Sequence, residues 1–330
     1  ELKSEDLKKY EKNGFLGIYY WSHAFISLDW YRFAEHDVIL KTLPKNNFLY
    51  DFNIYCRAWT GSREYRLKFL DLIKKNSIDN VSKTFFNSVC DNMHYSEYEV
   101  KNKNWKFKNK NIDSLKNIII RETPSSMSAT YDLADYKDSA VDVVLETIFD
   151  KKKIQLTEKI LRPIACGKPF LLISEKDSLK YLKSYGFKTF ENLIDESYDC
   201  IEDPTKRLES IVKTMKSISS LNQKEKNKLF SRMHKIADYN RKWFFSDEFF
   251  NLINDELKNN LVFALKQLDN PSVQTGKELR IMYRAYRKYY KYLSEENKNF
   301  ADTIISEFPE RIEMSKKNIN IFAKYHPNQK

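Results

Sequence analysis

The sequence predicts an α/β fold with a parallel, doubly wound sheet and a helical C-terminal appendage, on three observations. From about residue 112 to 220, short β-branched and leucine runs alternate with helical stretches, the pattern of strands buried on both faces and connected by helices. From Thr205 onward, helix formers carry apolar residues three and four apart almost without a break. No internal repeat at a solenoid or propeller period is visible.

Taken in order, "GFLGIYYW" (14–21) and "NNFLYDFNIYC" (46–56) read as aromatic-rich strands. "SREYRLKFLDLIKKNSI" (62–78) reads as a helix capped by Ser62, with Leu67, Leu70 and Ile73 at core spacing. A basic loop, "KNKNWKFKNKN" (101–111), precedes three further strand candidates: "SLKNIII" (114–120), "SAVDVVLE" (139–146) and "PFLLI" (169–173). "DSLKYLKSYG" (177–186) is a helix with an acid at its start and Gly186 at its stop. Helices are expected at 205–217, 223–242, 245–267, 276–294 and 297–318, interrupted at "DNPSVQTG" (269–276).

With 330 residues, 42% of them hydrophobic, the chain can bury a sizeable core and has the length of two domains. No apolar run reaches the roughly 20 residues of a membrane helix, and the N-terminal stretch has no signal-peptide core, so a soluble, cytoplasmic protein is expected. That the chain starts at Glu1 leaves open whether its first domain is complete. Cys56, Cys90, Cys166 and Cys200 are widely separated and the five histidines are scattered, so reduced thiols and no metal site are expected. A net charge of +11 points to anionic partners, although lysine runs are often simply solvated surface.

The stretch "LTEKILRPIACGKP" (156–169) breaks local rules. Lys159 faces the positive end of a helix dipole in a first turn, and Pro163 lies where that helix should be under way. With Thr157 as N-cap, Lys159 in the first turn and Arg162 one turn on, an anion at the helix start would make the charge–dipole term favourable. Glu158 can accept hydrogen bonds from sugar hydroxyls. The plain alternative is a capped surface helix with Thr157 and Glu158 as ordinary first-turn residues.

"VVLETIF" (143–149) together with "LTEKILRPIACGKPF" (156–170) resembles the donor-binding signature of fucosyltransferase-like GT-B glycosyltransferases. "LKYLKSYGFKTFENLIDESYD" (179–199) and "CRAWTGSREYRLKFLDLI" (56–73) are similar to a broader group of bacterial and viral glycosyltransferase-like proteins. The similarity covers roughly residues 48 to 215. It implies a GT-B-like α/β fold of two facing Rossmann-type units. These are an N-terminal acceptor-side domain (1–111) and a nucleotide-sugar donor domain (112–240), followed by a helical region (241–330) packing back on the first. It also implies that Glu146 and Glu158 contact the ribose or transferred sugar and that Lys159 contacts the diphosphate. Arg57, Arg63 and Arg66 then close on the phosphates. Thr147 stands where the fucosyltransferase pattern has asparagine.

No DxD motif is present, so a metal-independent transfer is expected, with no cofactor and the nucleotide sugar as co-substrate. Candidates for a catalytic base at the acceptor hydroxyl are His23, Asp29 and His36, with Glu35 and Asp37 beside them. The hydroxyl-rich "TPSSMSATYDLADYKD" (123–138) reads equally as cleft lining and as an ordinary β–α loop. Asp195, Glu196 and Asp199 read as an acidic turn or as substrate contacts. In "KELRIMYRAYRKYYKYL" (277–293), Arg280, Arg284, Arg287 and Lys291 share one helical stripe among tyrosines. That stripe is either a solvated face or a nucleic-acid contact. The expected acceptor is a hydroxylated base in DNA; the alternatives are a glycan acceptor and a non-catalytic nucleic-acid-binding relative.

Overall fold

A computed structural model describes residues 17–18, 20–101, 130–150 and 153–268. Tyr20–Glu256 makes up one compact unit; Leu257–Leu268, which continues a helix, belongs to a second. The strand expected at 114–120, the helices at 276–294 and 297–318, and Arg280, Arg284, Arg287 and Lys291 lie outside the described residues.

The first unit is α/β and is organised by a four-stranded, all-parallel sheet. Its strands are β1 (Tyr50–Cys56), β2 (Ser82–Phe86), β5 (Ser139–Leu145) and β6 (Phe170–Ile173), in spatial order β2-β1-β5-β6. A short antiparallel pair, β3 (Val89–Cys90) and β4 (Met93–His94), follows β2. In register, Ile54 of β1 lies between Thr84 and Val143, and Val143 pairs with Leu171. β5 and β6 are buried along their whole length, as strands covered on both faces must be. Strands on both sides of residue 111 share this sheet, so the division expected at 111/112 does not separate two sheets.

Three short helices, α1 (Ser22–Trp30), α2 (Arg32–His36) and α3 (Val38–Lys41), precede the sheet. They replace the strand expected at 14–21, whose described residues 17, 18, 20 and 21 are coil. Trp21 explains the difference: its indole donates to the Leu156 carbonyl at 2.8 Å and its ring packs against Tyr185, so it anchors a helical layer instead of a sheet. α4 (Tyr65–Lys75) buries Leu67, Leu70 and Ile73 as predicted, but Ser62 does not cap it and sits in a 3-10 turn, Gly61–Arg63. After β4 come α5 (Tyr95–Lys101) and α6 (Leu133–Asp138).

α7 (Glu158–Ala165) starts at Thr157, whose hydroxyl accepts from the Lys159 amide, and contains the buried Pro163. It stops at Gly167, at φ +66°, with the Lys168 amide donating to the Pro163 carbonyl at 2.8 Å. α8 (Ser178–Ser184) has no capping side chain at its own N-cap; Asp199 supplies one from a distance, accepting from the amides of Leu179 and Lys180. Asp195 accepts from the Ser197 amide and Glu196 from the Phe190 amide, so the acidic turn serves local structure.

α9 (Pro204–Ser219), α10 (Gln223–Phe244) and α11 (Asp247–Leu268) follow the predicted helical pattern. α10 runs through the boundary expected at 240/241, and Phe249 packs its ring against Trp21 and Phe187. Gly186, at φ +85°, lies so close to Trp243 that a Cβ would come within 2.6 Å of the indole. Gly186→Ala therefore combines a left-handed backbone with a clash and is expected to cost about 2–4 kcal/mol. A urea midpoint within error of the parent's, at equal m-value, would refute this.

Candidate active site

A chain that places β2 on one side of β1 and β5 on the other creates a topological switch point, and a crevice opens there beyond the carboxyl ends of the strands. A cleft of about 1120 Å³ occupies this position. Its wall is built from Arg57 and Ala58 after β1, Asn87 after β2, Thr147 after β5, and Lys159 and Arg162 on α7, with Arg63 and Arg66 before and on α4.

The arginines differ in what holds them. Arg66 is buried, with one guanidinium nitrogen donating to the Ala58 carbonyl at 2.6 Å and another to the carbonyls of Leu145 (2.6 Å) and Glu146 (3.1 Å). It ties the end of β1 to the end of β5. Arg162 is buried as well, donating to Asp142 and to the Tyr136 hydroxyl, both at 3.1 Å, with its guanidinium 4.6 Å over the Tyr55 ring. Asp142 also accepts from Asn53 of β1, so this cation is part of a network inside the sheet. Arg57 and Arg63 are half-buried in the cleft, and their side chains make no hydrogen bond or ion pair with the described residues. A cation held in a concave site without a partner is an open anion-binding group.

Glu146 does not line the cleft and is fully buried. Its carboxylate accepts from the Thr157 amide (2.9 Å), the Thr157 hydroxyl (2.7 Å) and the Thr147 amide (3.3 Å). It pins the start of α7 to the end of β5. Glu158 is also buried and outside the cleft wall, with one oxygen 2.9 Å from the Lys159 ammonium and the other 3.3 Å from Nδ1 of His23. Lys159 does reach the cleft.

Of the proposed bases, His23 is half-buried beside Glu158, whereas Asp29 and His36 are exposed. Asp29 pairs with Arg32 at 2.6 Å and His36 lies 3.6 Å from Glu35; neither lines the cleft. Asp37 does, with one carboxylate oxygen capping α3 through the amides of Ile39 and Leu40.

Sequence reasoning missed Tyr55 and Asp135 in the cleft wall, and Lys83 behind Asp135. The Tyr55 hydroxyl donates to Asp135, which also pairs with Lys83 at 2.8 Å. Burial pushes the Tyr55 phenol above its ordinary value, so it stays a donor. Asp135 belongs to the hydroxyl-rich "TPSSMSATYDLADYKD" stretch, so that segment supplies both a helix, α6, and part of the cleft wall. Among the described residues, no cluster of three or more His, Cys, Asp or Glu side chains is arranged to hold a metal ion, and no helix is long and apolar enough to cross a membrane. No protein-family model matches the chain, and no curated protein or solved structure matches it significantly.

Proposed function

We propose that the cleft binds the diphosphate of a nucleotide sugar and that the protein is a metal-independent glycosyltransferase of GT-B type, with Tyr20–Glu256 supplying its nucleotide-binding, Rossmann-like unit. The observation that carries this reading is the pair Arg57 and Arg63, uncommitted among the described residues and facing a crevice that also receives Lys159 from the first turn of α7. As the sugar leaves, negative charge builds on the diphosphate, and cations gathered at a helix start stabilise it. The net charge of +11 exceeds what a diphosphate requires and supports a polyanionic acceptor, a hydroxylated base in DNA.

Calorimetry with nucleoside diphosphates, nucleotide sugars and plain nucleosides tests the binding half. The diphosphates should bind and raise the melting temperature, by the equivalent of about 2.7 kcal/mol at 100 times the dissociation constant, while the nucleosides should not. Indifference to every diphosphate would overturn the reading. Sugar transfer to hydroxymethylated DNA but not to free sugars would support the DNA acceptor; the reverse preference would replace it with a glycan.

A further inference from the structure

We infer that Glu158 is a latch on Lys159: it holds the lysine's ammonium back at the start of α7 until an anion enters the cleft and draws it forward. The inference rests on the diphosphate reading for its ligand but on separate geometry for the latch itself.

Neighbouring side chains on a helix do not face each other, so an ion pair between residues 158 and 159 requires one side chain to fold back. Lys159 does so, in the N-terminal direction that helical side chains favour, and its Nζ lies 2.9 Å from Glu158 Oε1 and 3.1 Å from Thr157 Oγ1. The Thr157 hydroxyl gives its proton to Glu146 at 2.7 Å, so toward Lys159 its oxygen can only accept. It accepts twice, from the Lys159 amide at 3.3 Å and from its ammonium. The chain Glu146–Thr157–Lys159 is thereby polarised in one direction.

The ammonium thus sits over the positive end of the helix dipole, where a cation is disfavoured. The Glu158 carboxylate makes that position tenable. Glu158 is buried, turned from the cleft and backed by His23, so it acts on a ligand only through Lys159 and is a positioning residue. Two of the ammonium's three protons are engaged in this parked arrangement. An anion captured by Arg57 and Arg63 would compete with Glu158 for the charge, and Lys159 would follow it. The lysine's place in the first turn then has a cause: it is stable there in either state only beside a negative group.

Glu158→Gln keeps the shape and removes the charge. In the ligand-free protein, acetylation of Lys159 by acetic anhydride, followed by mass spectrometry, should run several-fold faster in the variant than in the parent. Equal or slower rates, in proteins with matching circular dichroism, would overturn the latch whatever the cleft binds. Titration with inorganic pyrophosphate gives the second arm. Removing a carboxylate beside the binding cation should tighten binding about fivefold to tenfold. In a Lys159→Ala background the same change should have no effect. Weaker binding in Glu158→Gln, or an equal gain without Lys159, would also overturn the latch. If labelling accelerates but neither protein binds pyrophosphate, the latch stands and the diphosphate reading falls.

Discussion

Replacing Arg57 and Arg63 together by glutamine should weaken pyrophosphate and nucleoside diphosphate binding by about 100-fold or more. Each charge-assisted hydrogen bond to a phosphate is worth about 1.5–3 kcal/mol, and two such bonds give about 3–6 kcal/mol. The double variant should melt close to the parent, because neither arginine's side chain makes a hydrogen bond or ion pair with the described residues. Arg66→Gln should behave in the opposite way. Its guanidinium joins the carbonyls at the ends of β1 and β5, so the variant should lose stability before it loses ligand. Calorimetry and thermal melts on the two variants separate the roles. Pyrophosphate affinity within threefold of the parent in the double variant would show that these cations do not hold the ligand.

Relative to a Lys168→Met variant, the protein should gain stability as pH goes from about 7.5 to 9. The Lys168 side chain is buried, with Nζ donating to the carbonyls of Tyr136 (2.8 Å) and Ser139 (2.6 Å), and burial pushes its pKa down from 10.5 to about 7. Between those two values the unfolded chain keeps a proton that the folded chain has released, so unfolding becomes harder as pH rises. One such group gives a slope of up to about 1.4 kcal/mol per pH unit, or about 2 kcal/mol over this range.

Other groups titrate in the same window, so the effect of Lys168 is read as a difference between parent and variant. Burial holds His234 down at about 3, so it stays neutral across the window; it also holds the buried Cys56 and Cys166 thiols above their ordinary value, and because unfolded thiols ionise near about pH 8.5 these two oppose the rise. Buried tyrosines oppose the trend only above about pH 10, where unfolded phenols ionise. Urea unfolding at pH 7.5 and 9 should show the parent gaining up to about 2 kcal/mol on Lys168→Met, whose own stability should fall as its unfolded thiols ionise. Parallel curves for both proteins would sink this account.

Where local chemistry determined an element, it was legible. β5 and β6 announce themselves as short β-branched and leucine runs, and Thr157 as a cap three residues before the apolar face of α7 begins to repeat. α9 to α11 follow from their 3–4 periodicity. β2 did not, because "SKTFF" carries a lysine at its second position, a residue that strand patterns count against. Lys83 is tolerated there because Asp135 and Asp138, more than fifty positions away in the chain, supply its counter-charges.

The site divides along the same line. Residue types and spacing brought Lys159 forward as a cation for an anion, the resemblance to glycosyltransferases added Arg57 and Arg63, and the cleft contains all three. Only the folded chain decided which charges remain open. Glu146 is as acidic in sequence as Glu158, and Arg66 as basic as Arg63. Yet Glu146 is consumed by Thr157 and Arg66 by three carbonyls, whereas Arg57 and Arg63 are left to the cleft. A side chain's type states what it can bond, but its role is fixed by which partners reach it first. Thr157 lies eleven residues from Glu146, and two of the three carbonyls that hold Arg66 lie about eighty residues from it, distances over which sequence periodicity carries no information.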